Sequence, residues 1–381
     1  MSYRINTFLR ISAIICASLY KLAVPAQAQS IFNPLENLGG SVVTAPSCTG
    51  AIASSYCGVV GANGHLLLNH IINFSFPGYV DLGGIVIGTP SCTQFGILNE
   101  TTLQVLCGVI GTDGAVWTVR FDGLNSSGFF RVGGVGVSNP ACTGLAGSTK
   151  AICAVIGTNN HLFASSTLDG VNWTAFDDLD LGGTLIFNPT CMDLGDMRGF
   201  CGAVTTDGEL RLRSYEATVS GSVTWEDTYI ISFPPITLQT LGNARLVSGG
   251  ISIRNPTRIT ADPSCGLGVA AAVICGVRGS DNALYLSTFT GTFSPFHFEG
   301  GVLAGAPSCA WAVCAVRGTD SQLYVIQFLG NGTTVPFAQV PGTNLSGDPS
   351  CTLHPNEALT LLMLCGVRST DSTLWVTIAH E

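Results

Sequence analysis

Charge is scarce in this chain of 381 residues: Asp, Glu, Lys and Arg make up 10% of it, and only 15 residues are Lys or Arg. Helical proteins need many more charged residues on their wet faces, so a mainly helical fold is disfavoured. A net charge of −9 argues against nucleic acid and anionic membrane as partners, because neither is drawn to an acidic surface. The six histidines are scattered and make no metal-binding pattern; no metal and no cofactor is expected. After the amino terminus no run reaches 18 uninterrupted apolar residues, so no membrane span is expected in the mature chain. Glycine is plentiful, at 47 residues, and fits short strands joined by tight turns.

The start, "MSYRINTFLRISAIICASLYKLAVPAQAQS", has the layout of an export leader. Arg4 and Arg10 precede an apolar stretch from Ile11, and Ala26-Gln27-Ala28 is a small-x-small cleavage site. Residues 1–28 are therefore expected to be a signal peptide, with maturation near Gln29. The competing reading, an amino-terminal anchor, is weakened by Lys21 and by the shortness of the run. Cys16 lacks the small residue that precedes a lipidated cysteine. A secreted protein, extracellular or periplasmic, is the expectation.

Self-similarity dominates the rest. "LGGSVVTAPSC" ends at Cys48, "LGGIVIGTPSC" at Cys92, "VGGVGVSNPAC" at Cys142, "LGGTLIFNPTC" at Cys191 and "EGGVLAGAPSC" at Cys309. "SGGISIRNP" opens a further copy at Ser248 that reaches Cys265 after an insertion, and "PGTNLSGDPSC" closes the series at Cys351. That makes seven copies, 42 to 51 residues apart except for a 67-residue step between the fourth and fifth. Each copy holds two cysteines: Cys48 and Cys57, Cys92 and Cys107, Cys142 and Cys153, Cys191 and Cys201, Cys265 and Cys275, Cys309 and Cys314, Cys351 and Cys365. In an exported protein such local pairs read as disulfides, one per repeat, each worth about 2–3 kcal/mol. Zinc would need further ligands, and the histidines do not follow the repeat.

Within a copy the pattern is all-β. In the sixth, "GVLAGAPSCA", "VCAVRG", "LYVIQF" and "VPFAQV" read as four strands separated by turns. Four antiparallel strands in 40 to 50 residues predict one blade of a β-propeller, hence a seven-bladed ring with one intra-blade disulfide in each blade. The last copy stops after its third strand, "LWVTIAH". Residues 30–37 are expected to supply the missing strand and close the ring, which removes two open sheet edges. The mature chain, 29–381, is expected to be a single domain.

The second and third strands are joined by a recurring hairpin: "CGVRGSDNALYLSTF", "CAVRGTDSQLYVIQF" and "CGVRSTDSTLWVTIA". An acid in its turn can simply bond its own backbone, which accounts for the repetition without any ligand. With the Gly-Gly step, these hairpins resemble the PLL-like seven-bladed propeller lectins of bacteria, over nearly the whole mature chain. The resemblance implies sugar pockets between blades, commonly for fucose. It points to Arg278, Asp281 and Tyr285, to Arg317, Asp320 and Tyr324, to Arg368, Asp371 and Trp375, and in part to Asp113 and Trp117. A sugar site needs a flat ring for the C–H face and fixed polar groups for hydroxyls. The first copy departs with Asn63 and Leu67, the fourth with Arg211 after Asp207, and the fourth strands offer tryptophan only at Trp173 and Trp225.

Other signals are weaker. "STLDGVNWT" (166–174) resembles the Asp-box hairpin of sialidases, which is structural even there. "DDLDLGG" (177–183) lacks the spaced ligands of a calcium loop and reads as a solvated turn. Asn-x-Ser/Thr sites stand at Asn73, Asn99, Asn125, Asn172, Asn331 and Asn344. Three functions follow in order: a non-enzymatic lectin for glycans, fucosylated ones included; a scaffold for an extracellular protein; and a glycosidase with carboxylates in the central funnel.

Overall fold

A computed structural model of the chain describes residues 32–51, 54–72, 75–99, 102–145, 148–218, 220, 222–233, 245–247, 250–252, 258–268, 272–329, 333–355 and 361–379. The leader expectation lies outside these residues, as do Asn73, Asn331 and most of the insertion between the fourth and fifth copies.

The fold is an all-β propeller of seven four-stranded antiparallel blades, the first six formed by strands in chain order. Blade 1 comprises Ser47–Ala51, Ser54–Val60, Leu66–Ile72 and Tyr79–Gly83. Blade 2 comprises Val86–Asn99, Thr102–Gly111, Val116–Phe121 and Ser126–Gly133. Blade 3 follows with Ala141–Gly144, Ala151–Ile156, Leu162–Thr167 and the two-residue strand Asp177–Asp178. Blade 4 spans Leu185–Gly195, Arg198–Thr205, Leu210–Ala217 and Val223–Ile231. A small hairpin, Arg245–Val247 with Gly250–Ser252, precedes blade 5. That blade holds Ser264–Leu267, Val273–Arg278, Leu284–Phe289 and His297–Gly300. Blade 6 has Ser308–Ala310, Val313–Arg317, Leu323–Phe328 and Thr334–Val340.

Blade 7 takes Ser350–Pro355, Leu361–Arg368 and Leu374–Ile378 from the end of the chain. Its fourth strand is Glu36–Gly39, from the other end, with Glu36 opposite Val376. Phe32 bridges Ala379 just before it, and the Asn33 N–H donates to the Ile378 carbonyl at 3.0 Å. The ring is thus closed by the amino-terminal strand. The described strand begins and ends later than residues 30–37.

The first strands line the axis. In each blade the two cysteines are directly opposed across the first two strands and joined: 48–57, 92–107, 142–153, 191–201, 265–275, 309–314 and 351–365. Opposed residues of an antiparallel pair that exchange no hydrogen bonds point their N–H groups away from the partner strand. The first cysteine therefore presents its N–H at the inner edge, and the preceding blade caps it. The Cys92 N–H donates to Ser47 Oγ, that of Cys142 to Ser91 and that of Cys48 to Ser350, each at 2.8 Å. Cys309 and Cys351 do the same with Ser264 and Ser308 at 2.9 Å, and Cys265 with Thr190 at 3.4 Å. This explains the serine of the Pro-Ser-Cys motif. It fails at one joint, where Ala141 stands before Cys142 and offers Cys191 nothing.

The disulfides also fix a glycine. A Cβ on Gly58, Gly108 or Gly276 would lie 2.4 Å from the sulfur of Cys92, Cys142 or Cys309 in the next blade. Apolar faces fill the rest of each joint, for example Leu66, Leu68 and Leu82 of blade 1 against Val105, Val109 and Val119 of blade 2.

The Gly-Gly steps turn the corner from one blade's fourth strand to the connector entering the next. Gly39 and Gly40 have φ of 71° and 82°, and Gly83 and Gly84 both 74°, a region hostile to side chains. Beyond the corner each connector donates one N–H to the hairpin turn of the preceding blade, from Val42 to Ser372 O at 2.8 Å through Leu345 to Ser321 O at 2.8 Å. In the sixth copy the stretch expected as a first strand is mostly this connector. Leu303 only bridges Gly318, and the strand starts at Ser308, after Pro307, which has no N–H to contribute.

On the opposite face, "STLDGVNWT" forms the turn between the third and fourth strands of blade 3. Asp169 accepts from the Val171 and Asn172 N–H groups at 2.9 and 2.7 Å and from the Asn172 side chain at 2.7 Å. The hairpin is structural, as its sequence implied.

Two outcomes are expected. Ala141→Ser supplies the missing hydroxyl and raises stability in thermal unfolding by about 1 kcal/mol, and Ser350→Ala lowers it by a similar amount. Burial pushes the Asp169 carboxyl up, but its hydrogen bonds prevail and hold it at about 2, below its ordinary 3.8. Its stabilisation is therefore present above 3.8 and lost as pH falls toward about 2. In acid titrations of unfolding, the gap between the wild type and Asp169→Asn should close over that window.

Candidate functional site

The hairpin between the second and third strands presents the same frame on one face of every blade. In six blades its acid or amide caps the turn by accepting the N–H two residues on. Asn63 takes that of His65, Asp113 that of Ala115, Asn159 that of His161, Asp281 that of Ala283, Asp320 that of Gln322 and Asp371 that of Thr373, all at 3.0–3.1 Å. This is the Asx-turn chemistry that needs no ligand.

Four residues after the cap comes the position held by Leu67, Trp117, Phe163, Arg211, Tyr285, Tyr324 and Trp375. Each side chain with a ring faces the preceding blade. Trp117 packs on the cluster with Leu82 of blade 1, Phe163 on Ile110 of blade 2, Tyr324 on Leu284 of blade 5 and Trp375 on Leu323 of blade 6. The ring also lies over its own turn: a Cβ on Gly111 would meet the Trp117 ring at 2.6 Å, and one on Gly157 would meet Phe163 at 2.7 Å.

The cleft between blades 1 and 2 gathers the richest set. The Trp117 Nε1–H donates to Asp113 Oδ1 at 3.0 Å, and the Arg131 Nε–H donates to Asp113 Oδ2 at 3.2 Å. Arg131 stands on the fourth strand, opposite Trp117. The indole bond, then the Ala115 N–H, then Arg131 hold the Asp113 carboxyl below its usual range. The Arg131 and Asp113 side chains are 53% and 44% exposed, so their unused edges face solvent beside a half-buried indole. Phe129 walls the cleft from below, against Gly84 of the corner.

Blades 6 and 7 carry simpler versions. Tyr324 OH donates to Asp320 Oδ2 at 2.7 Å, the larger of the bonds that lower that carboxyl, and Gln322 and Gln339 stand alongside. Trp375 Nε1–H reaches Asp371 only through Thr373, at 2.7 Å to the Thr373 hydroxyl, which donates to Asp371 at 2.6 Å. In blade 5 the parts are present but covered. Tyr285 OH donates to Asp281 at 3.0 Å, yet the ring is 4% exposed, with Phe233 at 5.0 Å and Phe298 at 5.5 Å between centroids.

The arginines do not join their own hairpins. Arg278 opposes Leu284 while Tyr285 opposes Val277, so successive residues place them on opposite faces of the blade. Arg278 donates to the Thr260 hydroxyl and carbonyl at 3.1 and 2.8 Å, and Arg317 to Asp348 at 3.2 Å. Arg368 donates to Ser346 Oγ at 3.0 Å and to the Val43 carbonyl, bridging the connectors of blades 7 and 1. All three act as clamps beneath the connectors. Val60, Ile110, Ile156 and Val204 fill this position in blades 1 to 4, all buried.

Sequence reading missed Arg131 and two His–Asp pairs. His65 Nδ1 lies 2.9 Å from Asp81, and His161 Nδ1 lies 2.9 Å from Asp178. All these partners come from the fourth strand, the least regular part of the repeat. A period-two count back from each Gly-Gly corner would have found Asp81 and Arg131, but not Asp178, which sits two residues farther out.

No family model matches the chain, and no curated protein matches it in sequence. Solved propellers resemble it in shape. For the BP39L lectin from Burkholderia pseudomallei the TM-score is 0.64 at 13% identity, over 92% of this chain and 97% of the lectin. A mutant of AofleA from Arthrobotrys oligospora gives 0.50 at 10% identity, over 90% of this chain and 85% of its own. A mutant Aleuria aurantia lectin in complex with alpha-methyl-L-fucoside gives 0.50 at 12%, over 80% and 97%. At such identities the likeness carries the fold alone. Among the described residues no helix is long and apolar enough to cross a membrane, and no group of three or more His, Cys, Asp or Glu could hold a metal ion.

The two kinds of arginine separate in a stability measurement. Arg368→Ala should cost about 2 kcal/mol in thermal unfolding, because it strips two connectors of a charged donor. Arg131→Ala should stay within about 0.5 kcal/mol, as expected of an exposed side chain.

Proposed function

We propose that this chain is a secreted, non-catalytic carbohydrate-binding propeller of the PLL-like kind, taking glycans in shallow clefts between blades. The observation that carries the reading is the cleft between blades 1 and 2. There an indole, a carboxylate and a guanidinium share one exposed cluster and hold one another in place. An indole face suits the C–H face of a sugar, and an ion pair with free edges can accept from one hydroxyl and donate to its neighbour. The set is oriented before any ligand arrives, which lowers the cost of binding. The Tyr324 and Trp375 clefts are the next candidates, with Asp320 and Asp371. Tyr285 and the three part-buried arginines are assigned to the framework. The propeller lectins it resembles in shape support this class of function, and seven disulfides suit an oxidising compartment outside the cytoplasm. Weak single sites on one face would act together on a glycan-coated surface.

A second reading, a scaffold for an extracellular protein, rests on the connectors. Val43, Ile85, Ile87, Val135 and Val137 are each at least 50% exposed on one face of the ring, more apolar surface than glycan binding needs.

A glycan array that includes fucosylated structures, probed with the oxidised full-length protein, separates the two. Binding is expected, and it should weaken about tenfold in both Trp117→Ala and Arg131→Ala. Silence across the array, or binding indifferent to both substitutions, would refute the assignment of this cleft.

A further inference from the structure

The cleft between blades 2 and 3 is built on the same frame as the cleft between blades 1 and 2, with Asn159 for Asp113, Phe163 for Trp117, and the cation on the hairpin and the carboxylate on the fourth strand. Asn159 caps the turn, Phe163 lies over Gly157, and Phe176 packs on the Gly134 corner as Phe129 packs on Gly84. A cation–carboxylate pair again stands beside the ring. Here it is His161 with Asp178, 2.9 Å apart, each side chain 40% exposed. Arginine is charged at every pH a protein meets, whereas histidine is not.

We infer that the cleft between blades 2 and 3 is a saccharide site whose occupancy follows the charge on His161, while the cleft between blades 1 and 2 is occupied independently of pH. The inference rests on the lectin reading above. Its physical basis is the hydrogen bond to Asp178. That bond ties up Nδ1–H, so the tautomer is fixed and Nε2 is the nitrogen left for a ligand. Neutral His161 then offers a sugar only an acceptor at Nε2, and protonated His161 offers a donor. In the neighbouring cleft the cation stands on the fourth strand instead, where Arg131 opposes Trp117 as Asp178 opposes Phe163, and it is a donor at every pH. Both clefts therefore offer a sugar a charged donor when His161 is protonated, and only the cleft of Arg131 does when it is neutral.

The groups around the imidazole favour its charged form. The bond to Asp178 raises its pKa, against a small opposing effect of desolvation, and the charges of Asp178 and Asp180 add to the rise. Asp177, next on the strand, points to the other face. The blade 2 corner on which Phe176 packs, Gly133-Gly134-Val135, brings no titratable side chain. From blade 4, Arg211 reaches the Leu181 carbonyl at 3.0 Å and is itself paired with Glu209 at 2.9 Å. Blade 1 repeats the pair as His65 with Asp81, but Leu67 replaces the ring, and no saccharide site is inferred there.

The test follows aromatic and imidazole NMR signals of the oxidised full-length protein, with methyl α-L-fucoside as the probe. Without sugar, the His161 titration midpoint should lie above about 6.5 and fall in Asp178→Asn. With sugar, Phe163 and His161 should respond with an apparent affinity about tenfold weaker at pH 8 than at pH 5.5, while the Trp117 response changes little. His161→Gln should abolish the difference and leave Trp117 as before. A Trp117 that responds beside a Phe163 that is silent, or equally responsive at both pH values, overturns the switch alone. If neither ring responds at either pH, the lectin reading fails for this probe and the switch falls with it.

Discussion

Everything in this ring depends on how its innermost strands meet around the axis. The first strand of a blade is a sheet edge, with N–H groups that have no fifth strand to bond. The molecule caps that edge with the hydroxyl of the preceding blade, at six of seven joints. The disulfide behind the same cysteine sets how far the next blade can approach, and the following glycine makes room for its sulfur. One short motif thus couples a covalent bond within a blade to a hydrogen bond between blades. Closure of blade 7 by strands from both ends of the chain completes the circle, so no joint is left as an open edge.

That frame leaves the outer half of each hairpin free to vary, and it does. The turn cap is kept because the backbone needs it. The residue four positions on is kept bulky because it covers the turn and packs on the preceding blade. Only the partner on the fourth strand has no framework duty. It is aspartate in two blades, arginine in one, and glutamine, asparagine or an apolar residue elsewhere. Chemical variety is therefore added by the least repetitive strand, and the seven blade junctions are unequal.

The inequality follows sectors. Blades 5 to 7 place a part-buried arginine beneath their connectors, whereas blades 1 to 4 place a buried aliphatic there. The latter carry their cations at the rim instead, as His65, Arg131, His161 and Arg211, each beside a carboxylate.

The sequence alone determined the architecture, since a repeat of paired cysteines, Gly-Gly steps and period-two strands admits few other folds. Blade count, the disulfide partners and closure by the amino-terminal tail were legible for that reason: each is a relation between residues near in sequence or between copies of one pattern. It also showed where rings and turn acids recur. Only the tertiary structure decided which of them face a shared cleft. Strand alternation sends Arg278 and Tyr285 to opposite sides of one blade, and Phe233, from another blade, covers Tyr285. Trp117 gains Arg131 across a strand pair whose register a bulge shifts. A cleft is built by two blades, and its contents depend on register and packing between segments that no single repeat contains.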